Sequence, residues 1–150
     1  MDRHHMWMTE ALELAAKAAE LGDAPVGCVV ALDGQVIGRG YNRRESGGGA
    51  VAHAEIEAIS EACRAVNGWR LTGCTLAVTL EPCAMCAGAI ANARVPRVIF
   101  GAHDPKAGAY GGLFDMRQLG LNHVPEITGG VMEDECGALL REFFLKLRKR

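Results

Sequence analysis

Two short stretches, His53-Ala54-Glu55 and Pro82-Cys83-Ala84-Met85-Cys86, decide how this chain of 150 residues can be interpreted. They offer one imidazole and two thiols, which are ligands that zinc prefers, together with one carboxylate that the metal does not need. Three protein ligands leave the fourth tetrahedral position open, which is typical of a catalytic zinc site. A zinc ion so placed makes hydroxide available near neutral pH. We therefore expect His53, Cys83 and Cys86 to hold one zinc ion per chain.

A structural zinc site is the alternative interpretation, and it would need a fourth protein ligand. Cys63 or Cys74 could be proposed, but Cys74 lies in an apolar run typical of a strand, and Cys63 lies within a helical pattern. Free cysteines in such surroundings usually behave as small apolar side chains. We favour the catalytic site, in which Glu55, two residues after His53, moves protons between a water molecule and a substrate.

Length, composition and charge bound the class of protein. The length is that of about one domain, so we treat residues 1–150 as a single domain. No apolar stretch approaches the ~18 residues that span a membrane, and the N-terminus lacks the apolar region of a secretory signal. The net charge of −2 argues against sequence-blind binding to duplex nucleic acid. The six cysteines show no disulfide-framework spacing, which suits a reducing cytoplasm.

The order of predicted elements indicates the fold class. Apolar periodicity predicts helices over about 6–21, over 53–66, from Pro82 onward, and along a final stripe from Cys136 to Leu147. Strands are predicted at 26–31, 35–39, 74–80, 97–101 and 124–127, with a hairpin turn at Asp33-Gly34. This alternation predicts an α/β fold, a three-layer αβα sandwich whose mixed sheet has about five strands.

With these features in view, the chain resembles the cytidine-deaminase-like superfamily, and within it the bacterial tRNA-specific adenosine deaminases (TadA-type). The two zinc motifs match the signature of zinc deaminases that act on nucleobases. The similarity extends over essentially the whole length. It is carried by Ala24-Pro25-Val26-Gly27, Gly40-Tyr41-Asn42-Arg43, residues 79–89, residues 100–108, Leu121-Asn122-His123 and Phe143-Phe144.

The resemblance implies conversion of adenosine to inosine at the wobble position of a tRNA anticodon, carried out by a homodimer. It implies that Glu55 transfers the protons, while Asn42 and the Ala54 backbone N–H orient the flipped base. The residues expected to contact nucleotides of the anticodon stem-loop are Asp104, Asn122 and Phe144. RNA loops of this kind are bound with their bases splayed and packed on apolar and aromatic groups.

Simpler explanations remain open for several of these residues. Asn42 is also a common turn residue, and Asp104-Pro105 favours a turn in any protein. Phe143 is expected in the core, with Phe144 the exposed contact. The basic C-terminus, Lys146 to Arg150, is either a helix end that complements the helix dipole or a phosphate-binding cluster. The histidines expected to be solvated or structural are His4, His5, His103 and His123.

One stretch departs from the family pattern. Many members carry Asp-Pro-Thr-Ala before the metal-binding histidine, where this chain has Gly49-Ala50-Val51-Ala52. The adjacent glycines at 47–49 raise the entropy cost of ordering this connection. We expect the segment between Asn42 and His53 to be mobile or to be ordered by RNA.

Other functions share part of this pattern. A small-molecule deaminase acting on guanine, cytosine or a pterin-like base would use the same zinc site. It would need neither the segment of residues 101–123, which the resemblance places against the RNA loop, nor the basic C-terminal helix. A non-catalytic, zinc-stabilised binding module would not need Glu55 or an open coordination position. A riboflavin-pathway deaminase would be expected to carry a fused reductase domain, which we do not expect here.

Overall fold

The elements follow the predicted order along the chain, and the computed structural model describes residues 2–149. The helices are α1 (Arg3–Glu20), α2 (Ala54–Val66), α3 (Ala84–Ala93) and α4 (Glu133–Arg148). The strands are β1 (Gly27–Leu32), β2 (Gln35–Tyr41), β3 (Thr75–Leu80), β4 (Arg97–Ala102) and β5 (Glu126–Thr128). A turn of π-helical type at Arg44–Gly48 and a 3-10 turn at Met116–Leu119 lie in the connections.

The five strands form one mixed sheet in the order β2-β1-β3-β4-β5. Strand β1 pairs antiparallel with β2 and β3, whereas β4 is parallel to both β3 and β5. The β1–β2 hairpin turns at Asp33 and Gly34, whose φ angles of 52° and 81° are those that an Asp-Gly turn adopts. Helices α1 and α4 cover one face and α2 and α3 the other. The predicted three-layer sandwich is confirmed.

The apolar core lies on both faces of the sheet because successive side chains of a strand point in opposite directions. In β3, Leu76 and Val78 pack among the residues of α2 and α3. Ala77, between them, packs with α1 and α4. All three are fully buried, which explains why the sequence of β3 is continuously apolar rather than alternating. Within residues 2–149, no helix is both long and apolar enough to cross a membrane.

The N-terminal end of α2 lies directly against β2 because Gly40 has no side chain. A Cβ atom at Gly40 would collide with the Ala54 backbone carbonyl and would lie 2.9 Å from the Glu57 Cβ atom. Gly40 pairs with Cys28 of β1, which in turn pairs with Val78 near the end of β3. The last residues of strands β2 and β3 therefore lie at the same end of the sheet, and the helices that follow these strands begin side by side.

Two helix starts differ from the sequence prediction. Helix α1 begins at Arg3 rather than near residue 6 because Asp2 caps it, accepting a hydrogen bond from the His5 backbone N–H at 3.0 Å. Helix α3 begins at Ala84 with Cys83 as its N-cap, so the prediction that Pro82 lies in the first turn is wrong. Pro82 instead precedes the cap, and its carbonyl accepts a hydrogen bond from the Ala109 backbone N–H at 2.9 Å.

Helix α4 is less buried than its apolar stripe predicts. Cys136 is the one residue of the helix that is fully buried, and Leu147 is 48% exposed. Phe143 is only half-buried, so its predicted place in the core is wrong. Alanines of α1, including Ala16 and Ala19, face it across a groove of about 350 Å³, and such small side chains cannot fill the space. The second half of α4 thus remains at the surface.

Candidate active site

The three predicted metal ligands meet where α2 and α3 begin. His53 is the N-cap of α2 and Cys83 is the N-cap of α3. The His53 Nδ1 atom lies 3.6 Å from the Cys83 Sγ atom and 3.5 Å from the Cys86 Sγ atom. The three donor atoms all lie within 4.8 Å of one another, and no other trio of such side chains in residues 2–149 is spaced to hold a metal. One imidazole nitrogen and two sulfurs at this spacing fit a tetrahedral zinc ion with bonds of about 2.0–2.3 Å.

The cysteines proposed for a structural site lie outside this cluster. Cys74 is fully buried in the apolar core between the sheet and the α2–α3 layer, and Cys63 packs against the same core. Both are free thiols. Within the described part of the chain the cluster therefore has three protein ligands, which is the number that leaves a coordination position open.

The predicted proton carrier lies beside the cluster. Glu55 is in the first turn of α2 and is only 4% exposed. Burial, the largest effect, and the nearby Cys83 sulfur together raise the pKa of its carboxyl to about 7. A carboxyl with this pKa exchanges protons readily near neutral pH, which is the property that a general acid–base group requires.

The two thiols differ in their acidity. Hydrogen bonds from Cys86 and then from His53 lower the pKa of the Cys83 thiol to about 3. The same hydrogen bond raises the pKa of the Cys86 thiol, because Cys86 must keep its proton to donate it to Cys83. Cys83 is thus held as a thiolate, which is the form of cysteine that binds metals.

A cavity of about 180 Å³ opens over His53, Glu55 and Cys83. Its remaining walls are formed by Ala24, Val26, Asn42, Arg44, Ala54, Leu80, Glu81, Asp104 and Ala107. The Asn42 side chain is fixed at both ends. Its Nδ2 group donates to the Ala24 carbonyl and its Oδ1 atom accepts from the Arg44 backbone N–H, each at 3.2 Å. Asn42 therefore shapes a turn and lines the cavity at once.

The other expected substrate contacts are distributed unevenly. Asp104 lines the cavity, and its Oδ1 atom also accepts hydrogen bonds from the backbone N–H groups of Lys106 and Ala107 at 3.0 and 3.2 Å. Phe144 lies in a second cavity of about 480 Å³ that adjoins the first. Asn122 is exposed and lines neither cavity. The structure thus gathers some of these residues at the site and leaves Asn122 apart.

The remaining histidines occupy structural or solvated positions, as expected. His5 pairs with Asp2 at the exposed start of α1. The His103 ring packs edge-on against Phe100 with centroids 5.0 Å apart. The His123 Nε2 atom lies 2.6 Å from the Val95 carbonyl.

Comparisons with known proteins agree with this geometry. The family model for the cytidine and deoxycytidylate deaminase zinc-binding region matches residues 1–102. The tRNA-specific adenosine deaminase of Bacillus subtilis (strain 168) is 48% identical over 151 aligned positions, which cover 100% of this chain and 94% of that protein. The chain belongs to the tRNA-specific adenosine deaminase family. It is accordingly a zinc-dependent hydrolytic enzyme by family, and the predicted resemblance is confirmed.

Solved structures extend the comparison. One solved structure comes from work on A-to-I editing by tRNA:A34 deaminases at the wobble position of transfer RNA. It matches this chain with a TM-score of 0.84 and 43% sequence identity, and the match covers 90% of this chain and 99% of the solved one. The guanine deaminase of Nitrosomonas europaea matches with a TM-score of 0.79 and 27% identity, covering 93% and 83%. The fold is therefore shared with deaminases of free bases, and substrate choice depends on details of the site.

Glu81, to which no sequence motif assigned a role, lines the cavity and supports the connection that carries Asp104. Its side chain is wholly buried and accepts hydrogen bonds from the backbone N–H groups of Asp104, Tyr110 and Gly112, each at 2.9 Å. These bonds hold the connection after β4, which carries Asp104 over the cavity. A glutamate between an apolar strand and Pro82 could have suggested a buried acceptor, because a charge at that position needs partners.

Asp23 was also missed, and it anchors part of the connection that was expected to be mobile or to be ordered by RNA. Asp23 is fully buried, and its carboxylate accepts hydrogen bonds from the backbone N–H groups of Glu45 and Ser46. Gly47 and Gly49 adopt φ angles of 131° and 88°, which other residues rarely adopt. The glycines thus allow a specific turn that Asp23 holds in place.

Proposed function

We propose that this chain converts adenosine to inosine at the wobble position of tRNA anticodons, consuming water and releasing ammonia. The observation that carries the proposal is the buried Glu55 carboxyl beside the His53, Cys83 and Cys86 cluster, at the base of a cavity of about 180 Å³. The relative with 48% identity over the whole chain, a tRNA-specific adenosine deaminase, supports adenosine in tRNA as the substrate.

In this proposal His53, Cys83 and Cys86 hold one zinc ion per chain. When bound, the zinc supplies a Lewis acid that makes hydroxide available near neutral pH. Glu55 is left free of the metal and performs the proton transfers.

Glu55 accepts a proton from the attacking water and delivers it to the ring nitrogen of adenine next to the reacting carbon. The water oxygen bonds to that carbon as a hydroxyl group. Glu55 then carries the hydroxyl proton to the amino group, the carbon–nitrogen bond breaks, ammonia leaves and the carbonyl of inosine remains. Burial of Glu55 supports this role, because a carboxyl with a pKa of about 7 can accept the first proton and give it up again.

Asn42 and Ala54 would orient the base. The Asn42 amide is fixed by the Ala24 carbonyl and the Arg44 backbone N–H, so it needs no reorganisation when a base arrives. Ala54 is the first residue of α2, where the backbone N–H has no acceptor within the helix. Hydrogen-bonding groups held in advance in this way favour one orientation of a ligand.

The RNA would pass from the first cavity into the second. Asp104 lies on the wall of the first cavity and Phe144, 43% exposed, lies in the second, where a base could pack against its ring. Asn122 lies outside both cavities, so its proposed contact is with nucleotides farther from the target. Lys146 and Arg148 are exposed on α4, Lys149 is exposed directly after it, and all three would contact phosphates. Arg150 belongs to the same predicted cluster but lies outside the described residues.

We further propose that residues 1–150 act as one deaminase domain, in a cytoplasmic homodimer. Large apolar side chains are exposed along one segment, and they suit a subunit interface: Leu113, Leu119, Leu121 and Val124. All six cysteines are free, which suits a reducing compartment. Light scattering of the zinc-loaded protein would show a dimer, and a monomer at all concentrations would contradict this part.

The test of the function is incubation of zinc-loaded protein with an anticodon stem-loop that carries adenosine at the wobble position. Free adenosine, guanine and cytosine are incubated in parallel, and products are resolved by mass. We expect inosine in the RNA alone. Turnover of a free base without turnover of the RNA would retain the deaminase chemistry and reject the tRNA substrate.

A small-base deaminase is the second candidate, favoured by the similarity to guanine deaminase of Nitrosomonas europaea. The two candidates respond differently to salt. Binding of RNA releases the cations that surround its phosphates, and this release favours binding less as the salt concentration rises. Turnover of a neutral base releases no such cations and should not depend on salt in this way. We expect the KM for the stem-loop to rise steeply with salt.

A further inference from the structure

Two adjoining cavities share one wall that carries a single basic side chain. The first cavity contains the cluster around His53, and the second contains Phe144. Ala24, Asn42 and Arg44 line both. Among all the residues that line either cavity, Arg44 is the one lysine or arginine. Its charge is thus placed at the boundary between the two cavities.

Arg44 differs from neighbouring arginines in having no acidic partner. The Arg43 guanidinium lies 2.6 Å from the Glu57 carboxylate, and Arg39 lies 2.6 Å from Glu10. Within residues 2–149, Arg44 forms no ion pair and its side chain makes no hydrogen bond, although its backbone N–H donates to Asn42. Its guanidinium is exposed and free to bind a ligand anion.

The backbone of Arg44 is nevertheless held firmly. The next two backbone N–H groups, those of Glu45 and Ser46, donate to the buried Asp23 carboxylate. The Gly48 backbone N–H closes the same turn by donating to the Arg43 carbonyl at 2.8 Å. Asp23 therefore sets where the turn, and with it Arg44, stands above the cavity. A long side chain on a fixed backbone binds at a lower entropy cost than one on a mobile loop.

We propose that Arg44 binds the phosphate that joins the target nucleotide to its neighbour, and that Asp23 is the residue that positions Arg44. The inference rests on the proposed function, since it requires an RNA substrate. If the target base enters the first cavity and an adjacent nucleotide enters the second, the phosphodiester between them crosses the shared wall. Arginine suits this position because its planar guanidinium can donate two hydrogen bonds to one phosphate.

The test is a binding measurement in a Glu55→Gln background, in which turnover is expected to be slow compared with the time needed to reach binding equilibrium. The Kd of zinc-loaded protein for the anticodon stem-loop is measured by fluorescence anisotropy between about 50 and 200 mM salt. Arg44→Gln should raise Kd about 10-fold at low salt, the loss of roughly one charge-assisted contact. It should also reduce the slope of log Kd against log salt by about 0.7, the value for one phosphate contact on a single strand. Arg39→Gln removes the same charge outside both cavities and should change Kd less than about twofold.

The role of Asp23 is tested by a double-mutant cycle. Asp23→Asn should raise Kd about threefold or more when Arg44 is present, and should add nothing in the Arg44→Gln background, because coupled residues are not additive. Additive effects would overturn the positioning role of Asp23. If Asp23→Asn does not fold, the Arg44→Gln comparison still decides the phosphate contact.

Two results would overturn the assignment of Arg44: an unchanged Kd and salt slope in Arg44→Gln, or an equal loss in Arg39→Gln. Failure of the proposed function is a separate observation. It would be seen as absence of inosine in the stem-loop when Glu55 is intact, whatever the binding of the Arg44 variant shows.

Discussion

Replacing Glu81 should destabilise the protein by an amount that follows from its three hydrogen bonds. The Oε2 atom accepts from the backbone N–H groups of Tyr110 and Gly112, and Oε1 accepts from that of Asp104. In Glu81→Gln the amide oxygen can still accept the hydrogen bonds from Tyr110 and Gly112. The amide NH2 group then faces the Asp104 backbone N–H, so two donors meet and the third hydrogen bond is lost. Loss of one bond to a buried charged acceptor lowers the free energy of unfolding by about 2 kcal/mol. Glu81→Ala loses all three, for about 4 kcal/mol or more.

The assay is urea unfolding at a fixed excess of zinc, so that metal binding contributes equally to each protein. Glu126→Gln is the matched control, because Glu126 is exposed on β5 and its carboxylate makes no hydrogen bond within the described residues. Its effect should stay within about 0.5 kcal/mol. If Glu81→Gln unfolds at the same urea concentration as the control, the buried carboxylate does not hold the 104–112 connection as inferred.

Three other predictions concern the metal, the base and the packing of α2. Chelation of zinc should abolish turnover and lower the melting temperature by about 10 °C, because metal at 1,000 times its Kd stabilises the folded protein by about 4 kcal/mol. An unchanged melting curve would argue against the His53, Cys83 and Cys86 site. Asn42→Ala should reduce kcat/KM for the stem-loop about 10- to 100-fold in steady-state assays, and full activity would remove Asn42 from the site. Gly40→Ala should lower the free energy of unfolding by about 3 kcal/mol or more, since its Cβ meets the α2 backbone. Gly68→Ala, where nothing lies within 4 Å of the new atom, is the control and should be nearly neutral.

The metal cluster could be predicted from the sequence because its geometry is set locally. A histidine that begins one helix and two cysteines three residues apart at the start of another require only that the two helices begin side by side. The alternation of strands and helices predicted that both helices follow strands of one sheet and begin at the same end of it. The predicted sheet was confirmed. The roles proposed for Glu55 and Asn42 remain predictions, although the structure brings both to the same cavity.

What the sequence could not reveal depends on contacts between distant segments. Asp23 accepts hydrogen bonds from residues 22 and 23 positions later in the chain, so the glycine-rich connection looked mobile when its anchor was unknown. Glu81 and its acceptor role arise in the same way, from donors at least 23 positions away. Phe143 had the spacing of a core residue, but spacing does not show that the facing side chains on α1 are alanines.

Hydrolytic deamination with Glu55 as the proton carrier is tested by measuring the mass of the wobble-adenosine stem-loop after incubation in water enriched in oxygen-18. Wild type and Glu55→Gln are compared at equal, measured zinc content. We expect wild type to form inosine that carries one heavy oxygen, and we expect Glu55→Gln to retain zinc but to slow this conversion by at least about 100-fold. Equal rates in the two proteins, or inosine without the heavy oxygen, would contradict this expectation.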